Sequence, residues 1–424
     1  MNADPMPGHV ELKEKDLGRI LEVARRMGSE RDLDPLLELI LSETCGLVDA
    51  ERASLFLYDA ETDELYSKIA QGSEIGEIRF PADAGIAGYI ARNKVCLNIP
   101  DAYSDPRFNP EPDTRTGWRT RNIVGCPMLD LDGDLVGVLE VLNKRRGSFT
   151  NYDEYVLAIV GSQAGVALDR ARLQAEYKAK VQMERDLIVA RRIQQALLPK
   201  EIPPAGCFDI AGWSEPAEHT GGDIYDLFLL RNGQIGFLLG DATGHGIGPA
   251  LMISETRASV RAMAAHTSDL GLILAETNRL LAQDAPDGRF VTLFAGLISC
   301  DTKQLCYSSA GQGPTFLLSQ GGRRLDTLEP TGLPLGILED HAWPVRHLEM
   351  KPGDVLLVIS DGIVECVNAH RAMLGNDALI AAVKERLDRP AAEVVQAIAR
   401  LTEEFAAGEP FLDDRTAIVI KRTE

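Results

Sequence analysis

The sequence predicts an α+β protein: two domains of mixed strands and helices, joined by one long helix. Three observations predict it. Strand patterns closed by tight turns recur in both halves, helical stretches are interleaved with them, and residues 166–198 run without glycine or proline. The 424 residues leave room for about two or three domains. Apolar residues make up 45% and charged residues 25%, an ordinary balance for a folded protein, so core size is not limiting.

In the first half, residues 13–27 place Leu17, Ile20, Leu21, Ala24 and Met27 on one helical face. A second helix is expected to start at Asp34-Pro35, a capping residue followed by proline, and to present Leu36, Leu37, Ile40 and Leu41. Strands follow at 53–57 and 65–69 around an acidic turn, then at 123–128 and 135–142 around Asp132-Gly133, a hairpin signal. Between these pairs, 104–120 is long, polar and proline-containing. Such a segment suits either a flap over a cavity or a plain surface excursion.

This half closes on Asn143-Lys144, then Phe149, then Asp153-Glu154. Pairing Lys144 with Asp153 would join a strand's end to the first turn of a helix, where an acid also suits the helix dipole. Over residues 15–172 the chain resembles the GAF family of ligand-binding domains. These residues match the Asn-Lys…Phe…Asp-Glu motif of GAF domains that bind cyclic nucleotides. The resemblance implies that Lys144 and Asp153 brace the fold beside a pocket. That pocket would take a cyclic nucleotide, another small molecule, or nothing, since the motif can outlive binding.

Residues 166–198 would form a helix roughly 50 Å long. Ile159, Val166 and Leu173 recur every seven residues, and Tyr177, Val181 and Ile188 continue on a shifted phase, with Lys180 and Gln194 interrupting. So narrow a seam predicts a coiled coil and a homodimer. The alternative is a single helix packed along its own domain. Pro199 and Pro203-Pro204 stop the helix and open the second domain, 199–424.

That domain reads as strands with tight turns, one at Asn232-Gly233 and another at 301–303, between helices at about 248–265, 270–283, 376–388 and 391–406. Four acidic positions recur at strand ends. Asp223 follows Gly221-Gly222 and opens 224–230; Asp241 closes 235–240; Asp361 closes 355–360; Asp413-Asp414 opens 416–420. One such residue is ordinary turn chemistry. Four together point to a shared site, where converging carboxylates would repel unless a cation neutralised them. Hard oxygen donors without a Cys or His cluster favour Mg²⁺ or Mn²⁺ over Zn²⁺. Two such ions roughly 3.5–4 Å apart acidify a bridging water and neutralise a phosphoryl oxygen, which suits in-line hydrolysis of a phosphate ester. His245 reads as a turn-bracing residue before a catalytic one.

The same residues carry a second resemblance. Ala190-x-x-Ile193-Gln194-x-x-Leu197-Leu198-Pro199, Gly221-Gly222-Asp223-x-Tyr225-Asp226 and Gly240-Asp241-Ala242-Thr243-Gly244-His245-Gly246 come first. Ala310-Gly311-x-x-Pro314, Gly332-Leu333-Pro334-Leu335-Gly336, Ser360-Asp361-Gly362-x-x-Glu365 and Asp413-Asp414-Arg415-Thr416 follow. In this order, over about 184–421, they resemble the PPM family of metal-dependent serine/threonine protein phosphatases, in the bacterial branch that regulates sporulation and stress sigma factors. The resemblance implies an α/β/β/α sandwich of antiparallel sheets flanked by helices. It implies two divalent ions, Mn²⁺ or Mg²⁺, with Asp223, Asp241 and the Ala242 carbonyl at one and Asp361 and Asp413 at the other. Asp414 stands where relatives vary, and Gln312 where many have histidine. No arginine matches the phosphate-gripping one of eukaryotic relatives. The implied substrate is a phosphorylated anti-sigma-factor antagonist.

Composition narrows the partners. The net charge of −20 disfavours nucleic acid and anionic membrane. Seven scattered cysteines without a C-x-x-C argue against a disulfide framework and for a reducing compartment. A polar N-terminus and the lack of an apolar run of ~20 residues predict a cytoplasmic protein. The expected protein is a dimeric, GAF-regulated phosphatase. Its rivals are a pseudophosphatase that binds without turnover and a two-metal enzyme acting on another phosphoester such as a nucleotide.

Overall fold

The computed structural model describes residues 14–67, 78–284, 288–299, 301–302 and 304–424. They form two compact units, divided between Gln182 and Met183. The expected strand positions 68 and 69, the turn residue Lys303, Cys300 and the polar N-terminus lie outside the described residues.

The first unit opens with α1 (Glu14–Ser29) and α2 (Leu33–Leu47). Then come β1 (Ala50–Asp59), β2 (Glu64–Ser67), β3 (Ile78–Pro81), α3 (Gly85–Asn93), β4 (Leu97–Ile99), α4 (Glu111–Thr116), β5 (Ile123–Leu129), β6 (Leu135–Lys144) and α5 (Asn151–Leu197). The strands make one antiparallel sheet in the order β3-β2-β1-β6-β5-β4. Alternation along β6 sends Leu139 and Val141 to one face and Val138 and Glu140 to the other. The first face shares a core with Ile20 and Leu37 of the opening helices and Leu157 and Val160 of α5. The second packs on Ile86 and Ile90 of α3.

Several expectations change here. Asp32, not Asp34, stands at the N-cap position of α2, without a capping bond from its side chain. Pro35 falls in the first turn, where its missing N–H is one that a helix start leaves unbonded anyway. The 104–120 segment is not bare loop, since it contains α4. The connecting helix begins at Asn151, well before 166. Gly161 and Gly165, just before the glycine-free stretch, sit inside α5 as close-packing residues. A Cβ at Gly165 would lie 2.2 Å from the Leu129 carbonyl oxygen, and one at Gly161 would lie 3.1 Å from that of Pro127. The buried residues of α5 end at Ala171, and beyond it Leu173, Tyr177, Met183, Ile188 and Ile193 are exposed in the single chain. Packing along its own domain therefore describes only the first part of the helix.

The cysteine reading also needs correction. Leu97 pairs with Gly125, which sets Cys96 opposite Cys126, and the two are disulfide-bonded with Cα atoms 4.2 Å apart. Strand register brings together residues that are 30 apart in sequence, so spacing could not reveal the bridge. Cysteine usage no longer argues for a reducing compartment. Among the described residues no helix is long and apolar enough to cross a membrane.

The second unit contains β7 (Phe208–Glu215), β8 (Asp223–Leu229), β9 (Ile235–Ala242), α6 (Ile247–Ala264), α7 (Leu270–Asp284), β10 (Val291–Ser299) and β11 (Gln304–Ala310). It continues with β12 (Thr315–Ser319), β13 (Arg324–Thr327), β14 (Arg346–Leu348), β15 (Val355–Ile359), α8 (Asp361–Val364), α9 (Gly375–Lys384), α10 (Ala391–Ala406) and β16 (Arg415–Arg422). Two five-stranded antiparallel sheets form, β14-β11-β10-β9-β8 and β13-β12-β15-β16-β7. Phe237, Leu239 and Phe294 of one meet Ile210, Leu356 and Ile418 of the other in a shared core. The outer faces are covered by α6 and α7 on one side and by α9 and α10 on the other. This is the α/β/β/α layering expected from the sequence.

The close approach of α5 to β5 makes a test. Gly165→Ala should destabilise the first unit by about 1–3 kcal/mol through overpacking, read as a lower urea midpoint of the full chain. Gly161→Ala should cost less. An unchanged midpoint for Gly165→Ala would contradict this packing.

Candidate metal centre and sensor cavity

The second unit gathers its acids where the two sheets end. Asp223, first residue of β8, pairs in register with Asp241 near the end of β9. Asp361 starts α8 directly after β15, and Asp413-Asp414 precede β16, the neighbour of β15. The backbones at this junction are tightly apposed: a Cβ at Gly362 would lie 2.1 Å from the Asp414 carbonyl oxygen and 3.1 Å from the Asp413 carbonyl carbon. The glycine pair before Asp223 serves the same closeness. A Cβ at Gly222 would lie 2.6 Å from the Ala242 carbonyl oxygen and 3.1 Å from Asp241 Oδ1, and one at Gly221 would lie 2.4 Å from Asp414 Oδ2.

Electrostatics shows the cost of this crowding. Burial, then the charges of Asp361, Asp413 and Asp414, push the Asp241 carboxyl up to about 7. Burial, then Asp241 and Asp414, raise Asp223 well above the usual carboxylate range, while the Thr416 and Ser360 hydroxyls pull it down. Burial and Asp413 raise Asp361. Asp223 Oδ2 is buried and has no hydrogen-bond partner among the described residues. No group of three or more acidic, His or Cys side chains among those residues forms a ready metal shell. The fit to a cation therefore rests on donor chemistry: hard oxygens from four separate segments, mutually repelling, with one buried oxygen unsatisfied.

Three residues without a role in the sequence reading hold this end together. Asp414 is buried, while Asp413 is exposed. The Asp414 carboxylate accepts from the Ala217 N–H at 2.8 Å and the Asp223 N–H at 3.2 Å, fixing the turn that delivers Asp223. Gln312 Oε1 accepts from Thr292 Oγ1, beside Asp241 in the β9–β10 ladder, and its Nε2 donates to the Ile359 carbonyl. It thus stitches one sheet to the other beneath the acids. Gln194, in the last turns of α5, donates to the Gly221 carbonyl at 2.6 Å and accepts from the Gly221 N–H at 3.1 Å. The residue that interrupts the heptad is thus a clamp on the Asp223 turn.

Other motif residues lie apart from the acids. Asp226 is fully buried and pairs with Arg257 and Arg261 of α6, locking β8 to that helix. His245 is exposed and faces Glu218 at 3.6 Å.

In the first unit, Lys144 Nζ donates to Asp153 Oδ1 at 2.6 Å and to the Val48 carbonyl. The other Asp153 oxygen accepts from the Thr150 N–H and hydroxyl. Asn143, buried at φ 61°, bonds Glu51, the Arg119 carbonyl and the Arg121 N–H. Phe149 is buried with the Lys144 ammonium 5.8 Å from its ring centre, and the Glu154 N–H caps back to the Thr150 carbonyl. On the opposite face of the sheet is a cavity of about 400 Å³, lined in part by Arg52, Phe56, Phe80, Phe108, Trp118 and Glu140. Phe108 and Trp118 come from the 104–120 segment, which thus covers a cavity. Burial alone pushes Glu140 up to about 7, and its Oε1 has no partner among the described residues. A larger groove of about 690 Å³ against α1 and α2 is lined by none of the motif residues.

Residues 231–423 match the family of stage II sporulation protein E (SpoIIE), and residues 32–168 match the GAF domain. The chain is 29% identical over 252 residues to phosphoserine phosphatase RsbU of Bacillus subtilis (strain 168), covering 59% of this chain and 72% of that one. It is 35% identical over 185 residues to probable 3',5'-cyclic phosphodiesterase pde-5 of Caenorhabditis elegans, covering 39% of this chain and only 25% of the phosphodiesterase. Among solved structures, the SiaA-PP2C domain of Pseudomonas aeruginosa matches in fold with a TM-score of 0.51, at 21% identity, covering 58% of this chain and 99% of that one.

Two predictions follow from these geometries. Asp414→Ala removes the acceptor of two backbone N–H groups, which costs about 1–3 kcal/mol for each one left buried and unbonded; Asp414→Asn should lose less in urea unfolding. Glu140 has a folded pKa raised from 4.5 to about 7, so its share of stability is fully present below about pH 4.5 and lost as pH rises through about 7. At about 1.4 kcal/mol per pKa unit that share is on the order of 3 kcal/mol. Glu140→Gln should flatten the stability profile between pH 5 and 8; an unaltered profile would refute the assignment.

Proposed function

The chain joins a GAF domain to a phosphatase domain of the SpoIIE type, and from that premise we propose a GAF-regulated, metal-dependent phosphatase that acts on phosphoserine or phosphothreonine of a bacterial signalling protein. The observation that carries this reading is the set of acids from four segments that raise one another's pKa around an unsatisfied Asp223 oxygen. Asp223, Asp241, the Ala242 carbonyl, Asp361 and Asp413 would hold two divalent ions, Mn²⁺ or Mg²⁺. Bound there, the ions would neutralise phosphoryl oxygens and lower the pKa of an attacking water.

The chain's own residues supply position. Asp414 fixes the backbone of Asp223, Gln312 holds the two sheets in register, and Gln194 ties the Asp223 turn to α5. Similarity to RsbU, a phosphoserine phosphatase by name, favours a phosphoprotein substrate, for which a phosphorylated anti-sigma-factor antagonist is our choice. In the first unit, the aromatic walls and the carboxyl of the cavity suit a cyclic nucleotide, in keeping with the likeness to a cyclic phosphodiesterase. The exposed seam beyond Ala171 supports a coiled-coil homodimer. A ligand that favours one arrangement of α5 would then reach the metal site through Gln194.

Phosphate release with Mn²⁺ should be measured side by side on a phosphoserine protein, a phosphopeptide and nucleotides, for wild type and Asp361→Asn. Release from the phosphoprotein, reduced at least 100-fold in the variant, is expected. Turnover of nucleotides alone would reassign the substrate, and binding of phosphoprotein without turnover would make the chain a pseudophosphatase. Tyr177→Lys with Ile188→Lys should convert the dimer to a monomer in light scattering; a wild-type monomer would remove the coiled coil.

A further inference from the structure

Arg289 lies outside every motif read from the sequence, yet the fold delivers it to the loop that follows Asp241. In the β9–β10 ladder, Asp241 faces Thr292 and Ala242 faces Val291. The pairing runs one step further. The Thr243 N–H donates to the Phe290 carbonyl at 3.1 Å, and the Phe290 N–H donates to Thr243 Oγ1 at 3.2 Å. On its other side Val291 exchanges backbone hydrogen bonds with Leu335 at 2.9 and 2.8 Å. Arg289 is thereby set opposite Gly244, on backbone held from two directions.

Its guanidinium covers glycines. A Cβ at Gly248 would lie 3.2 Å from Nη1, 3.5 Å from Cζ and 3.6 Å from Nη2, and one at Gly244 would lie 3.9 Å from Nη1. A side chain at Gly248 would crowd the group, while at Gly244 the contact would be an ordinary one. Arg257 and Arg261 are committed to Asp226, and Arg415 to Glu215. Arg289 has no ion pair and no side-chain hydrogen bond among the described residues, although it is half-buried. A guanidinium that loses hydration without gaining an anion is costly unless the anion arrives from outside.

We propose that Arg289 binds the phosphoryl group of the substrate, a role for which the one motif arginine of this domain, Arg415, is already engaged by Glu215. The proposal rests on the phosphatase reading. A phosphomonoester dianion must approach a ring of carboxylates on a chain of net charge −20, and a planar guanidinium offers two parallel N–H donors matched to two phosphoryl oxygens. The metal ions would neutralise the acids; Arg289 would orient the phosphate from the side of the glycine loop.

The test uses Arg289→Ala, Arg289→Lys and Gly248→Ala in the full chain with Mn²⁺. Binding of inorganic phosphate is measured by calorimetry, and KM and kcat on a phosphoserine protein and on p-nitrophenyl phosphate. Arg289→Ala should weaken phosphate binding and raise both KM values about 10- to 100-fold, the weight of a charge-assisted hydrogen bond. Arg289→Lys should fall between it and wild type. Gly248→Ala should push the guanidinium aside and act in the same direction by a smaller factor. It should not lower the unfolding temperature, since alanine favours the helix that starts there. The Mn²⁺ concentration for half-maximal activity should stay unchanged in all three. Unaltered phosphate affinity in Arg289→Ala, or a loss confined to the phosphoprotein, would overturn the proposal. A wild type that binds phosphate through Arg289 but turns over neither substrate would keep this assignment and sink the phosphatase reading.

Discussion

Asp223, Asp241, Asp361 and Asp414 lose hydration at one end of a sheet sandwich, and burial raises the pKa of each. Each carboxylate makes ionisation of the next harder, so the cluster is stable as separate anions only with positive charge between them. The surrounding structure accepts this strain instead of dispersing it. Glycines at 221, 222 and 362 let backbones approach so closely that any side chain there would clash with Asp414 or the Ala242 carbonyl. The two sheets share an apolar core behind the acids.

The turn bearing Asp223 is held from two sides, by the Asp414 carboxylate and by the Gln194 amide of α5. The first hold is internal to the phosphatase fold. The second belongs to a helix whose earlier turns pack on the GAF sheet through Leu157 and Val160. The Gln194 amide thus ties the Asp223 turn to α5 through two hydrogen bonds, and lengthening them would release that hold.

Much of this was legible in the sequence because the signals were local. Strand-end acids beside glycine, the Asp-Gly hairpin and the apolar runs each depend on neighbouring residues, and the two resemblances added the order of the domains. What stayed hidden depends on register or on contacts across the fold. Cys96 and Cys126 meet through strand pairing, Gly161 and Gly165 of α5 lie where β5 leaves little room for a side chain, and β3 and β4 are too short to show a period. Glu140 lies within an apolar strand, and only the sheet shows that it faces a cavity. Asp414 and Gln312 could not be assigned because their partners lie across sheets, and Arg289 carried no signal at all.

Whether these acids hold divalent cations is measured most directly by equilibrium Mn²⁺ binding, without any assumption about substrate. Calorimetry on the full chain should find two Mn²⁺ per chain in wild type and weakened or lost binding in Asp223→Asn and Asp241→Asn, with folding retained by circular dichroism. Wild type that binds no Mn²⁺ or Mg²⁺ at millimolar concentration, or variants that bind as wild type does, would contradict the account.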